Sequence, residues 1–179
     1  MADGASFTEL SVDRLATAAG ISRASFYVYF EDKGDLLLRL AGRVFENLAD
    51  AGERWWRVAQ RLDSADAAAA MSGIVAGYRE HQPLLVALGE LAAYDPQVGA
   101  AYQELLTDIS VRLAAVIDAG QQAGAIRTEL PAATTASVLT WMTERACQQN
   151  LPSRPTSYDA ELAEALTQIV WATLYLEAP

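Results

Sequence analysis

Ser11–Phe30 reads SVDRLATAAGISRASFYVYF, and its spacing decides the fold of the chain's first third. Val12, Leu15, Ala16 and Ala19 recur at helical intervals, which predicts a short helix with one apolar stripe. Gly20 supplies the permissive backbone that ends this helix and turns the chain. A second helix restarts at Ser22, whose hydroxyl suits an N-cap, with Ile21 and Phe26 at staple positions around it. Phe26 and Phe30, four apart, turn inward, while Arg23, Ala24, Tyr27 and Val28 fall on the opposite side. Two short helices joined by a glycine turn, the second with a polar and aromatic outer face, form an arrangement suited to a DNA major groove.

Outward from this stretch, the periodicity stays helical. Asp32 is a plausible N-cap for a long helix in which Leu36, Leu37, Leu40, Val44, Phe45 and Leu48 carry the pattern to about Trp56. Lys33, the only lysine, falls in its first turn, where helix amides can also face a phosphate. Trp55 and Trp56, flanked by Arg54 and Arg57, are placed to cover a junction between this head and the rest of the chain. Further helices are expected to about Glu80, from Pro83 to Tyr94, from Gln97 to about Gln122, from Leu130 to about Gln149, and from Tyr158 to Tyr175. The expected fold is all-α: a helix-turn-helix head over residues 1–45 and a larger helical body over residues 46–179.

The last two helices carry apolar residues on more than one face. Val138, Leu139, Met142 and Ala146 line one, and Leu162, Leu166, Ile169 and Val170 the other. Such a pair can meet its copy in a second chain, making a four-helix interface and a homodimer suited to two DNA half-sites. The alternative is that both faces meet the body's own core.

Composition limits the functions available. No apolar run approaches the ~20 residues of a membrane span, and Met1–Ala5 has no signal-like apolar core, which together imply a cytoplasmic chain with no membrane partner. A single cysteine, Cys147, and a single histidine, His81, argue against a disulfide framework, a metal site or a histidine triad. No catalytic residue, metal or cofactor is expected; Glu144 near Cys147 is the one suggestive pair and is weak support for an enzyme. The net charge of −10 opposes tight DNA binding, but it is unevenly spread: residues 1–43 hold five basic against six acidic side chains, and the remainder eight against seventeen. Phosphate affinity should be modest and salt-sensitive.

The head closely resembles the DNA-binding domain of the tetracycline-repressor family of bacterial regulators. The resemblance is carried by SVDRLATAAGISRASFYVYF followed by EDKGDLLL, above all by the ISR-x-SFY-x-YF core with a lysine three residues later. A weaker resemblance, to the family's mycobacterial ethionamide-repressor subgroup, rests on AAVIDAG at Ala114–Gly120, LPA from Leu130, MTER at Met142–Arg145, and Ile169–Tyr175. The resemblance implies a homodimer that represses a promoter on double-stranded operator DNA and lets go when a small apolar effector fills the body. It places Ser11, Ser22, Arg23, Ala24, Ser25, Tyr27, Tyr29 and Lys33 at the DNA. Arg23 can fork onto a guanine edge or a phosphate, and the serines and Tyr27 can hydrogen-bond phosphates.

The same resemblance puts an effector pocket among Ile74, Tyr78, Ile109, Leu113, Thr140, Thr143, Glu144, Cys147 and Trp171. In the subgroup two amides hold the polar atoms of elongated apolar ligands; Thr140 and Thr143 stand in their place here, and Ile109 stands for a tryptophan. Family members also carry a helix before the region that begins at Ser11, where this sequence has none that is complete. The second reading is therefore a ligand-binding dimeric remnant with impaired DNA binding.

Overall fold

A computed structural model describes residues 7–56 and 64–175, and among these the secondary structure is helical, apart from one isolated bridge. Eight α-helices follow a short 3-10 turn at Phe7–Glu9: α1 Val12–Ala18, α2 Arg23–Tyr29, α3 Lys33–Trp56, α4 Ser64–Glu80, α5 Gln82–Tyr94, α6 Pro96–Gln122, α7 Ala132–Asn150 and α8 Asp159–Leu174. The all-α expectation holds, and the helix boundaries fall within a few residues of those read from the sequence.

Local chemistry explains the ends. Ser11 and Ser22 are the N-caps of α1 and α2, their hydroxyls accepting the amides of Arg14 and Ser25. Gly20, at φ 69°, closes α1 in the left-handed region: its own amide reaches Thr17 O and the Ile21 amide reaches Ala16 O. Asp32 accepts the amides of Gly34 at 2.7 Å and Asp35 at 2.9 Å, and Asp95 caps α6 through Gln97 and Val98.

The head is thin. Phe26 is its buried centre, with the Phe30 ring 5.2 Å away; Ala16 is buried on α1, but Ala19, expected in the apolar stripe, is exposed. Ala19 is the C-cap, where the chain already turns outward toward Gly20. Leu40 is likewise exposed at 41%, because it lies off the face of α3 that carries Leu37, Ala41, Val44, Phe45 and Leu48 into the body. The head joins the body through Phe7, which is buried beside α5, and through Gly34. A Cβ on Gly34 would lie 3.2 Å from Val98 and 3.6 Å from Leu91. The side chains of Trp55 and Trp56 lie outside the described residues, as does Arg57.

In the body, α3 packs on α4, α4 on α8, and α6 along α7, with α5 against α6. The centre is made by fully buried Val75, Leu85, Leu88, Leu106, Ile117 and Leu174. Arg79 ties α4 to the start of α8, to the turn after α7 and to α5: its guanidinium meets Asp159 at 2.5 Å, Leu151 O at 2.5 Å and Gln82 at 3.0 Å. At the other end, Arg127 N donates to Leu174 O at 3.0 Å, and Ile126 pairs with Tyr175. No described helix is long and apolar enough to cross a membrane.

Candidate DNA-reading face and effector cavity

The candidate reading face is α2. Arg23, Ala24, Tyr27, Val28 and Tyr29 all project to solvent, Val28 at 75% and Tyr29 at 66% exposure. Its polar groups are occupied within the head. Ser22 Oγ and Ser25 Oγ share a hydrogen bond of 2.9 Å, and Arg23 donates to Asp13 of α1 at 3.0 Å while lying 5.7 Å from the Tyr27 ring centre. Tyr27 and Asp13 hold the Arg23 guanidinium even more firmly protonated than usual. These pairs sit in water and are cheap to redirect.

Lys33 is placed differently from its expected role. Its ammonium is half-buried and donates to Leu10 O at 3.3 Å and Phe7 O at 3.4 Å, over the Phe7 ring. It thereby fastens the first described turn to α3. The α3 amides expected to face a phosphate are taken by Asp32, so that end of the helix already has its anion.

The body holds a partly open cavity of about 80 Å³ lined by α3, α4, α6, α7 and α8. Ile74, Tyr78, Ile109, Leu113, Thr140, Thr143 and Glu144, seven of the nine residues that the resemblance puts in an effector pocket, line it. Trp171 and Cys147 do not. Trp171 stacks on Tyr175 with ring centres 4.3 Å apart, held there by the bridge at the end of α8. Cys147 is buried behind Tyr78 in a smaller void with Leu85 and Leu151. Burial pushes its thiol up to about 12, so it is an inert core thiol.

The remaining walls include Phe45 and Leu48 from the long-helix stripe, Leu139 and Val170 read as dimer contacts, and four residues that no sequence pattern singled out. Phe45, Leu48, Ala49 and Gly52 form a stripe on α3, joined by Met71, Leu106, Leu139 and Val170. The helical spacing of Phe45, Leu48, Leu139 and Val170 was visible, but nothing in it separates a cavity wall from solid core. Leu139, Leu162, Leu166 and Val170, assigned to the dimer seam, are buried at 2–6% exposure within this one chain. They face inward because α8 lies on α4 and α7 on α6, so these four do not form an outer contact face. Met142 is half-buried, and Ile169 at 47% and Val138 at 60% remain on the outside.

Polar chemistry in the cavity converges on α7. Glu144 is 2% exposed; Tyr102 of α6 donates its hydroxyl to Oε1, and Gln148 donates to the Tyr102 oxygen at 2.9 Å. Glu144 Oε2 and Thr140 Oγ1 are buried without a hydrogen-bond partner among the described residues. Burial holds the Glu144 carboxyl above its usual range, opposed by the Tyr102 hydrogen bond and by Arg145. Burial and the neighbouring Glu144 raise the Tyr102 phenol. A shallower recess of about 390 Å³ lies between α3 and α6, and Phe45 and Ile109 face both spaces.

An exposed two-helix reader joined by one helix to a hollow helical body matches two known sequence families. Residues 5–40 match the bacterial regulatory proteins of the tetR family, and residues 67–176 match the C-terminal domain of the transcriptional regulator EthR. The chain belongs to the TetR family. The HTH-type transcriptional regulator EthR of Mycobacterium tuberculosis is 29% identical, over 94% of this chain and 79% of its own length. Solved TetR-type structures share the fold: the fatty acid degradation regulator FadR of Bacillus halodurans superposes with a TM-score of 0.76 at 16% identity, over 92% of this chain and 85% of its own. FadR of Thermus thermophilus, solved in complex with lauroyl-CoA, gives 0.67 at 22% identity, over 97% of this chain and 89% of its own. The chain is thus a transcriptional regulator of the helix-turn-helix type; the proteins it matches are regulators rather than enzymes.

Proposed function

We propose that this chain is a cytoplasmic, homodimeric repressor released from operator DNA by a small, largely apolar ligand bound in the body. The observation that carries the proposal is the position of α3. Its first turn holds Phe7 and Leu10 through Lys33, while Phe45, Leu48, Ala49 and Gly52 further along line the cavity. One rigid helix therefore belongs to both head and body, and the division near residue 45 falls within it.

A volume of about 80 Å³ is below the roughly 300 Å³ at which ordinary ligand sites begin. A ligand of that size needs α3 or α6 to move apart, and swinging Phe45 or Ile109 would open the cavity toward the outer recess. The ligand then favours a displaced α3, and the reader tilts with it. A long-chain acyl ligand in the Thermus FadR structure supports an apolar occupant here. DNA contact falls to Ser11, Ser22, Arg23, Ala24, Ser25, Tyr27 and Tyr29, with Lys33 holding the reader in place. The partner subunit meets the outer faces of α7 and α8 around Val138, Met142 and Ile169.

The test is a mobility-shift titration on the DNA upstream of the chain's own gene, with and without an apolar probe such as octanol. Specific binding that weakens as the probe saturates the body is expected. A probe that raises the melting temperature while leaving DNA affinity unchanged would refute the release mechanism. The acid excess of the body favours a second reading, a ligand-binding dimer with impaired DNA grip, which predicts no specific shift at low salt.

A further inference from the structure

We propose that the effector carries a protonated amine, held by Glu144 Oε2 and Thr140 Oγ1 against the aromatic side of the cavity; this rests on the cavity being the effector site. Glu144 and Thr140 are four residues apart on α7 and therefore share one face, one turn from each other. Both line the cavity, and each ends in a buried oxygen that nothing in the described residues satisfies. Buried polar groups almost always find partners, so two orphans on one wall mark the place of a missing group.

The chemistry of that group follows from the wall. Among the described residues, the polar side chains lining the cavity are Tyr78, Thr140, Thr143 and Glu144, all bearing oxygen; none of these is basic and none is an amide. The phenol nearest the carboxylate is already committed, since Tyr102 donates to Oε1 while accepting from Gln148. Arg145 approaches Oε2 only to 4.0 Å, beyond hydrogen-bonding range, and its side chain is 58% exposed. Among the described residues Glu144 Oε2 therefore lacks a hydrogen-bond donor on the cavity side, and a ligand carboxylate placed there would meet like charge offset only by the largely solvated Arg145. Two aromatic rings, Phe45 and Tyr78, stand 6.3 Å apart in edge-on contact on the same cavity. A buried carboxylate beside aromatic faces, with aliphatic walls beyond, suits an ammonium on a hydrocarbon body.

The experiment titrates the full chain with n-octylamine, n-octanol and octanoate at neutral pH, by calorimetry and thermal shift. Octylamine is expected to bind at least ~10-fold tighter than octanol, which corresponds to one added charge-assisted hydrogen bond, with octanoate weakest. In Glu144→Gln the amine should lose its advantage and bind within about twofold of the alcohol. Because that variant keeps every surface acid, it separates cavity binding from attraction to the acidic exterior. Octanol or octanoate binding the wild-type chain as tightly as octylamine overturns the amine assignment and leaves the cavity reading standing. If none of the three binds, both fall. The wild-type series decides the matter even if the variant does not fold.

Discussion

The reader and the cavity handle their polar groups in opposite ways. On α2 the polar side chains are in water and paired with one another: Ser22 with Ser25, Arg23 with Asp13. In the cavity they are few and mostly buried, and two of their oxygens are unpaired among the described residues. A solvated pair exchanges its partner for DNA at little cost, because water screens both states. A buried orphan has no such exchange and gains most when a ligand arrives. The head is thus poised by availability, and the body by an unmet need.

Four measurements would break or sharpen this contrast, beginning with the largest effect. Phe26→Ala removes the buried aromatic at the centre of the head and should destabilise it by about 3–5 kcal/mol, abolishing specific DNA binding. Octanol binding in the body should survive, and amide exchange should rise across residues 12–30 alone. Loss of probe binding as well would show that head and body fold as one unit. Arg23→Ala comes next: it should weaken specific DNA binding by roughly 10–100-fold and leave the melting temperature where it was. A lowered melting temperature would mean that its pair with Asp13 holds the head together.

Glu144→Gln should be milder and of opposite sign, stabilising the unliganded chain by about 1–2 kcal/mol near pH 8. Because burial raises this carboxyl in the folded state, its favourable contribution is complete below the usual carboxyl range of about 4.5 and is lost as pH rises through the raised value. The gap between variant and wild type should therefore widen from acid to alkaline pH. A gap independent of pH would assign the change to packing instead. The smallest effect is kinetic: the Cys147 thiol, buried and pushed up to about 12, should react with a thiol reagent at pH 8 only as fast as the body opens. Labelling at the rate of a free thiol would show that the void behind Tyr78 is open.

The sequence itself contained most of the local structure. Helix starts and stops were legible because Ser11, Ser22, Asp32, Asp95 and Gly20 act on their own neighbours within a turn. The family was legible too, since an exposed reading face is written in contiguous residues of one short helix. Seven of the nine expected cavity residues lie on its wall, because positions on the matching helices keep their facing when the packing order is kept.

What the sequence left undecided was which apolar face meets which. Leu139 and Val170 fit a dimer seam and a cavity wall equally well by period alone, and only the packing of α8 on α4 and α7 on α6 turned them inward. Lys33 looked like a phosphate contact until the fold brought the carbonyls of Phe7 and Leu10 within reach of its ammonium. Trp171 left the pocket because the bridge between Ile126 and Tyr175 sets the end of α8. Whether Glu144 is a surface acid or a buried one could not be read from MTER, because burial is a property of everything packed around a residue. Spacing along the chain determined the helices and their caps; the contacts between helices distant in sequence decided which polar atoms were left without a partner.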